Sequence, residues 1–284
     1  MTRIAYVNGA FVPLDEARVS VLDRGFLFAD GIYEVTAVID SRLVDNASHL
    51  ARLERSTAEI DLALPETPER ITAIQKELIE RNGLREGVVY LQVTRGAAER
   101  DFLPAPNMQP TLVMFTQAKS ITDSSAAANG IAVKSLPDIR WARRDIKSVA
   151  LLAQVLAKQA AAAEGCQEAW MVEDGFVTEG SSSTAWILNH EGRLITRARS
   201  RATLPGCTAQ ALAALAAETG IVIEERPFTL DEALAAREAF MTSASSFVFP
   251  VVRIDGQPIG DGRSGPVAQR LRALYLDFAR RSAD

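Results

Sequence analysis

The segment Asp145-Ile146-Lys147-Ser148 places a lysine at the junction between a predicted strand and an apolar helix. A lysine at the start of a helix is most often a solvated charge. A partly buried lysine has a lowered pKa, however, and its free amine can attack a carbonyl and later act as a base. The segment therefore makes Lys147 a candidate for Schiff-base chemistry.

Two downstream segments offer a carboxylate and an anion site. Thr178-Glu179-Gly180-Ser181-Ser182-Ser183 is typical of a surface loop, but it could also set its carboxylate against a pyridinium nitrogen. Leu204-Pro205-Gly206-Cys207-Thr208 leads into a predicted helix, and the first N–H groups of a helix can bind phosphate. Arg52 and Thr242-Ser243-Ala244-Ser245 could complete such a site with a charge and further donors. Taken alone, each segment also fits an ordinary loop or a capped helix.

Composition excludes several other classes of protein. The 284 residues include 31 Lys plus Arg and 36 Asp plus Glu, and this acidic balance disfavours a nucleic-acid or anionic-membrane partner. The two cysteines cannot form a disulfide framework, and no Cys/His spacing suggests a metal site. Only His49 and His190 could serve a Ser-His-Asp hydrolase, and neither lies in such a pattern. The start of the chain has no apolar signal core, and no apolar run is long enough to cross a membrane, so we expect a cytoplasmic protein.

The pattern of predicted elements indicates an α+β fold with two domains. An Asn8-Gly9 turn predicts an N-terminal hairpin, and Asp23–Gly31 is predicted to be a loop. The polar, small-residue stretch Lys119–Gly130 is the best linker candidate. We therefore expect a small domain over 1–118, a linker over 119–130 and a larger domain over 131–284. The later helices are predicted over Val149–Glu164, from Gly206 to Gly220, after a capping box at Thr229, and over Pro266–Ala279.

The order of the motifs carries more information than any one of them. Arg24 to Glu34 (RGFLFADGIYE), His49 to Leu53 (HLARL) and the three segments quoted above follow one another along the chain. This series resembles the fold-type IV pyridoxal-phosphate enzymes, and most closely the D-amino-acid aminotransferases. The resemblance covers about Tyr6 to Gly260. It implies a small N-terminal α/β domain, a larger C-terminal α/β domain with a pseudo-barrel, and a homodimer whose active sites lie between the domains and are completed by the partner subunit.

The resemblance also implies a role for each matching residue. Lys147 would hold pyridoxal 5′-phosphate as a Schiff base and move a proton between Cα of the substrate and C4′ of the cofactor. Glu179 would pair with the pyridine nitrogen and keep it protonated, so that the ring accepts electrons. Leu204 would pack against the ring. The residues that would bind the cofactor phosphate are Arg52, Cys207, Thr208, Ser243 and Ala244, and those that would contact substrate are Tyr33, Arg100 and Ser183.

Three positions depart from the pattern of the family. Arg100-Asp101-Phe102 stands where the D-amino-acid enzymes often show Arg-x-His, so the group that traps the substrate carboxylate is altered. Thr184 replaces an asparagine that often follows the three serines, and Ala244 replaces a hydroxyl residue at the phosphate site. The first departure bears on substrate choice and not on the cofactor.

The sequence thus predicts a transaminase that moves amino groups between D-amino acids, such as D-alanine, and 2-oxo acids, such as pyruvate or 2-oxoglutarate. Three activities on the same fold remain open: a branched-chain L-amino-acid transaminase, an (R)-amine transaminase and an aminodeoxychorismate lyase. A non-catalytic scaffold would need neither Lys147 nor Glu179, and the presence of both argues against it.

Overall fold

Two units divide the chain in the computed structural model, which describes residues 2–283. The first unit contains the chain up to Ser120, together with Ile146–Ala150 and the chain from Ala279. The second contains Ile121–Asp145 and Leu151–Phe278. The first long segment thus ends inside the stretch predicted to be a linker. No pattern in the sequence indicated that a five-residue segment would belong to the first unit.

The first unit is built on a six-stranded antiparallel sheet with strand order β2-β1-β6-β5-β3-β4. Its core packs Leu53 and Ile71 of the helices against Ile32 and Leu91 of the strands. The strands are β1 (Ile4–Val7), β2 (Ala10–Pro13), β3 (Gly31–Ile39), β4 (Arg42–Leu43), β5 (Gly87–Thr94) and β6 (Thr111–Ala118). The helices are α1 (Arg24–Phe28), α2 (Asn46–Ala58) and α3 (Pro68–Arg81).

Local chemistry explains where these elements begin and turn. Asn8 and Gly9 both have positive φ, at 44° and 96°, so the predicted hairpin turn is confirmed. Thr67 caps α3 and accepts a hydrogen bond from the amide of Arg70. The prediction of a loop over Asp23–Gly31 is wrong in part, because the segment contains the short helix α1. Asp23 caps this helix and accepts a hydrogen bond from the amide of Gly25. A helix of one turn has no periodicity that a sequence pattern could show.

The second unit contains a mixed nine-stranded sheet that curls into a half barrel. Its core includes Trp170, Ile187, Phe228 and Val251, all buried. The strands are β7 (Ile131–Pro137), β8 (Glu168–Glu173), β9 (Phe176–Gly180), β10 (Thr184–Leu188), β11 (Leu194–Thr196), β12 (Ile223–Glu225), β13 (Glu238–Ser243), β14 (Phe247–Ile254) and β15 (Gln257–Pro258). Strand β7 pairs in parallel with β8 and β14, and β11 pairs in parallel with β12. The predicted α+β class is confirmed.

The later helices are α4 (Ser125–Asn129), α5 (Leu152–Ala163), α6 (Cys207–Glu218), α7 (Leu230–Leu234) and α8 (Pro266–Ser282). Helix α4 was not predicted, because it lies inside the stretch predicted to be a linker. The other four lie where helices are predicted, although α8 continues beyond Ala279 to Ser282. The capping box at Thr229 is present, with Glu232 as its partner. Helix α5 begins at Leu152 and not at Val149, because the amide of Val149 donates to the carbonyl of Gly31 beside β3. Within residues 2–283 no helix has the length and apolarity needed to span a bilayer.

Candidate active site

Lys147 lies in an irregular segment beside β3 and not at the start of a helix. The amide of Tyr33 donates to the carbonyl of Lys147 at 3.1 Å, and Ser148 forms an isolated bridge with Ile32. The ammonium Nζ of Lys147 stands 4.2 Å from the centroid of the Tyr33 ring. Two residues predicted to act on substrate are therefore neighbours, and the half-buried lysine rests on an aromatic face.

An aromatic stack holds Tyr33 in place. Its ring lies 5.7 Å from that of Tyr90, which in turn lies 4.8 Å from that of Phe115, with 22° between the planes in each pair. Tyr90 and Phe115 are register partners on β5 and β6. Burial raises the pKa of Tyr90 to about 12, so its hydroxyl stays protonated and donates to Gln92. The sequence did not single out this stack, because it depends on the pairing of three strands that are distant in sequence.

Arg52 belongs to a buried cluster with Glu34 and His49. Its Nε and Nη2 donate to the two carboxylate oxygens of Glu34, each at 2.8 Å, and Nδ1 of His49 lies 2.7 Å from Oε2. Burial alone raises the pKa of Glu34, but the ion pair with Arg52 and the hydrogen bond with His49 hold that pKa well below its usual range. The bidentate pair fixes the plane of the Arg52 guanidinium. His49 and Arg52 are three residues apart on α2, a spacing that puts both side chains on one face.

The loop that carries Arg100 is anchored within its own unit. Arg24 donates to the main-chain carbonyls of Asp101 and Phe102. The Arg100 guanidinium stands over the rings of Phe28 and Phe102, at 5.1 and 5.6 Å from their centroids. Phe102 is 78% exposed, so its replacement of the family histidine adds apolar surface to this loop.

In the second unit, Glu179 is buried and in contact with a cation. Its carboxylate forms a short ion pair with Arg140 and accepts from the amide of Leu204 at 3.1 and 3.3 Å. Asp138 lies on the other side of Arg140, 2.7 Å from Nη2. Burial raises the pKa of Glu179 and Arg140 opposes this, with a net rise. The sequence did not single out Arg140, and its pairing with Glu179 was missed.

The N-terminus of α6 presents main-chain N–H donors, and its N-cap residue is a glycine, which has no side chain to cap them. Gly206 occupies the N-cap, and Cys207 and Thr208 in the first turn are buried. A Cβ on Gly206 would come within 2.9 Å of Thr184 Oγ1, so a larger residue here would require the Thr184 side chain to move. Glu179 and Gly206 line the same pocket. A phosphate group fits the helix start, and a ring nitrogen fits the carboxylate.

The three serines after Glu179 share one buried carboxylate. The hydroxyls of Ser181, Ser182 and Ser183 all donate to Glu168, which also pairs with Lys158 at 2.9 Å. The hydroxyl of Ser183, which the resemblance assigns to substrate, is thus engaged with Glu168. The sequence did not single out Glu168, which lies at the start of β8. Among residues 2–283 no three His, Cys, Asp or Glu side chains are grouped as a metal site would require.

The remaining predicted residues, Ser243 and Ala244, lie at the turn between β13 and β14. The hydroxyl of Ser243 lies 2.6 Å from that of Ser246. Ala244 has no polar side-chain atom, so its main-chain amide is the donor that it can offer. The structure therefore brings Tyr33 to Lys147 in the first unit and Leu204 to Glu179 in the second.

Comparison with known proteins adds independent observations. The family model described as amino-transferase class IV matches residues 31–254. The chain is 37% identical to a D-alanine aminotransferase of Staphylococcus aureus (strain MSSA476) over 276 residues, which is 96% of either chain. It is 36% identical over 265 residues to a D-alanine aminotransferase of Bacillus licheniformis, covering 93% of each.

Solved structures show the same fold. A branched-chain amino acid aminotransferase of the organism abbreviated T.th., with pyridoxamine 5′-phosphate, has a TM-score of 0.89 at 27% identity, covering 98% of this chain and 94% of that one. A branched-chain amino acid aminotransferase of Escherichia coli has a TM-score of 0.91, covering 98% and 95% of the two chains. At 21% identity, the second likeness concerns the fold alone.

Proposed function

The chain belongs to the class IV aminotransferase family, and on that premise we propose that it transfers the amino group of D-amino acids to 2-oxo acids. Membership confirms the resemblance drawn from the order of the motifs. The observation that carries the choice of substrate is the likeness to D-alanine aminotransferases over nearly the whole chain. We expect D-alanine as a donor and pyruvate or 2-oxoglutarate as acceptors.

The donors described above suit pyridoxal 5′-phosphate. Lys147 would carry the cofactor covalently, Glu179 would face its ring nitrogen and Leu204 would pack against the ring. Arg52 would bind the phosphate together with the group Cys207, Thr208, Ser243 and Ala244. When bound, the cofactor supplies an electron sink for the electron pair left on Cα of the substrate after proton loss.

The chain's own residues would then bind the substrate and move the proton. The amine of Lys147, held against the ring of Tyr33, would take the proton from Cα and later return one. Tyr33 and Arg100 would hold the substrate carboxylate, Arg100 through a charge-assisted pair. Ser183 would contact the substrate from a loop that Glu168 holds in place.

We also infer that two copies of the chain form the working enzyme. The side chains of Val21, Phe26, Phe102 and Leu103 are 73 to 79% exposed. Their segments adjoin, since the amide of Ala98 donates to the carbonyl of Leu22 and Arg24 binds the carbonyls at 101 and 102. Apolar groups so exposed in one place are typical of a protein interface.

Both cysteines are free thiols, which suits a reducing cytoplasm.

One observation favours a second donor class. The exposed ring of Phe102 replaces a hydrogen-bonding histidine beside Arg100 and would tolerate an apolar substrate group. We therefore expect (R)-1-phenylethylamine, which has no carboxylate, to react slowly. A branched-chain L-amino-acid activity fits less well, because the relatives at 36 to 37% identity cited above are D-alanine aminotransferases.

A donor panel tests the proposed function. The cofactor-saturated enzyme is assayed with D-alanine, L-alanine, L-leucine and (R)-1-phenylethylamine, each with pyruvate or 2-oxoglutarate as appropriate. We expect kcat/KM for D-alanine to exceed that for L-alanine and L-leucine by at least about tenfold, equivalent to about 1.4 kcal/mol. An L-amino acid as the better donor would overturn the proposal.

A further inference from the structure

Arg272, on α8, carries a buried positive charge. It is 5% exposed, and burial lowers its pKa. Its Nη1 donates to the carbonyls of Ser246 and Val248 at 2.8 and 3.1 Å, and its Nη2 donates to those of Ile121 and Thr122. Within residues 2–283 no carboxylate pairs with it. Since burying a guanidinium costs free energy that an aliphatic side chain would not, its contacts should serve a purpose.

The carbonyls of Ser246 and Val248 flank a residue in an unusual conformation. Phe247 has φ of +58°, in the left-handed region that a bulky side chain rarely adopts. Its buried ring packs on that of Tyr275, with centroids 4.8 Å apart. Tyr275 lies three residues after Arg272 on α8, so one face of this helix holds the main chain around Phe247 and its ring together.

Phe247 ends the turn that carries Ser243 and Ala244. The register pairs Ser243 with Phe247, so the conformation at 247 sets how the three residues between them are directed. Because Ala244 has no side-chain donor, its main-chain N–H can reach an anion only if the turn is directed correctly. The hydrogen bonds from Arg272 to the carbonyls of Ser246 and Val248 fix this part of the main chain, and they thereby orient the amides of the turn.

We propose that Arg272 is a positioning residue for the phosphate group of the cofactor. It holds the carbonyls of Ser246 and Val248, keeps Phe247 in the left-handed conformation and so directs the amides at 243 and 244, while its buried charge adds positive potential for a dianion. The inference rests on the proposed assignment of Ser243 and Ala244 to the phosphate.

Binding to the cofactor-free protein separates a role at the phosphate from a purely structural one. Dissociation constants for pyridoxal 5′-phosphate and for pyridoxal, which lacks the phosphate, are measured by fluorescence titration for the native chain, Arg272→Met and Arg272→Lys. Arg270→Met, at an exposed position of α8, is the control. Thermal unfolding of each cofactor-free protein is recorded alongside.

We expect Arg272→Met to weaken binding of pyridoxal 5′-phosphate by about tenfold or more, as when a group that orients a ligand-binding group is lost, and to leave pyridoxal binding unchanged. For Arg272→Lys we expect a dissociation constant for pyridoxal 5′-phosphate between those of the native chain and of Arg272→Met. The lysine variant decides the question if the methionine variant does not fold. Equal weakening for both ligands, or no weakening in either variant, would overturn the inference. A native protein that binds both ligands equally would instead contradict the proposed phosphate site.

Discussion

Glu179 is a residue on which burial and charge act in opposite directions. Burial raises the pKa of its carboxyl, and the Arg140 ion pair and the amide of Leu204 lower it, with a net rise. Only the ionised carboxylate can pair with a protonated ring nitrogen. Transamination should therefore decline as pH falls far enough to protonate this carboxylate.

Arg140→Met should shift that decline to higher pH. Without the guanidinium, burial is less opposed, so the folded-state pKa of Glu179 rises and the carboxylate is lost earlier on acidification. The measurement is kcat against pH with saturating D-alanine. Arg193→Met, which removes an exposed ion pair with Glu224 in the same unit, is the control. An acid limb at the native position in Arg140→Met would contradict this account.

Single residues show what a sequence can and cannot predict about a site. Lys147, Glu179 and Leu204 could be named because they stand in motifs. Arg140 could not, because Arg143 and Arg144 are close by and only the folded strands decide which guanidinium reaches Glu179. The buried pairing of Glu34 with His49 was missed for the same reason, since it joins β3 to α2.

At the scale of elements, one carboxylate organises the connection between β9 and β10. Glu168 accepts from three consecutive serine hydroxyls and from the amide of Ala169. The loop also needs Gly180, because a Cβ there would lie 2.0 Å from Ser183 Oγ. Glu179 directly precedes this turn, so the order of the loop bears on the placement of its carboxylate.

Glu168→Gln should loosen this connection. The amide keeps one acceptor but loses the ion pair with Lys158 and sets an NH₂ group against the hydroxyls, at a cost of about 1–3 kcal/mol in the free energy of unfolding. Denaturant unfolding measures the loss, and faster hydrogen exchange at 180–184 would locate it. Glu164→Gln, at an exposed partner of Lys134, should leave both nearly unchanged. Equal effects in the two variants would show that the loop does not depend on Glu168.

Elements with strong local signals were predictable, and short ones were not. The Asn8-Gly9 hairpin, the Thr67 cap and the Thr229 capping box have chemistry that acts within a few residues. Strands β4, β12 and β15 have two or three residues, too few to show a periodicity in the sequence. Strands β4 and β15 pair with the strand just before them, and β12 pairs with β11 across α6. The start of α5 was misplaced because long-range pairing beside β3 overrides local helix propensity.

At the scale of the whole molecule, the segment that carries Lys147 does not belong to the same unit as its neighbours in sequence. Ile146–Ala150, which includes Lys147, belongs to the first unit, although the residues on either side belong to the second. The bridge between Ile32 and Ser148 spans more than a hundred positions. Sequence patterns describe neighbours along the chain, so they could not predict that the chain comes back to the first unit at these five residues.

The exposed apolar side chains of Val21, Phe26, Phe102 and Leu103 should mediate self-association. Phe26→Asp combined with Leu103→Asp places charge on two side chains that are 74 and 79% exposed, so the fold should tolerate the change while a dimer would not. Sedimentation velocity should show a dimer for the native chain and a monomer of low activity for the variant. Val222→Asp, at another exposed apolar position, should remain dimeric. A fully active native monomer would contradict the proposed assembly.

Covalent attachment of the cofactor at Lys147 is the central claim, and borohydride trapping tests it most directly. The cofactor-saturated enzyme is reduced with borohydride, digested and mapped by mass spectrometry, with Lys147→Arg treated in parallel. We expect a stoichiometric pyridoxyl group on Lys147 in the native chain and none at any lysine of the variant. A pyridoxyl group on Lys134 or Lys158, or an unlabelled native protein, would contradict the account.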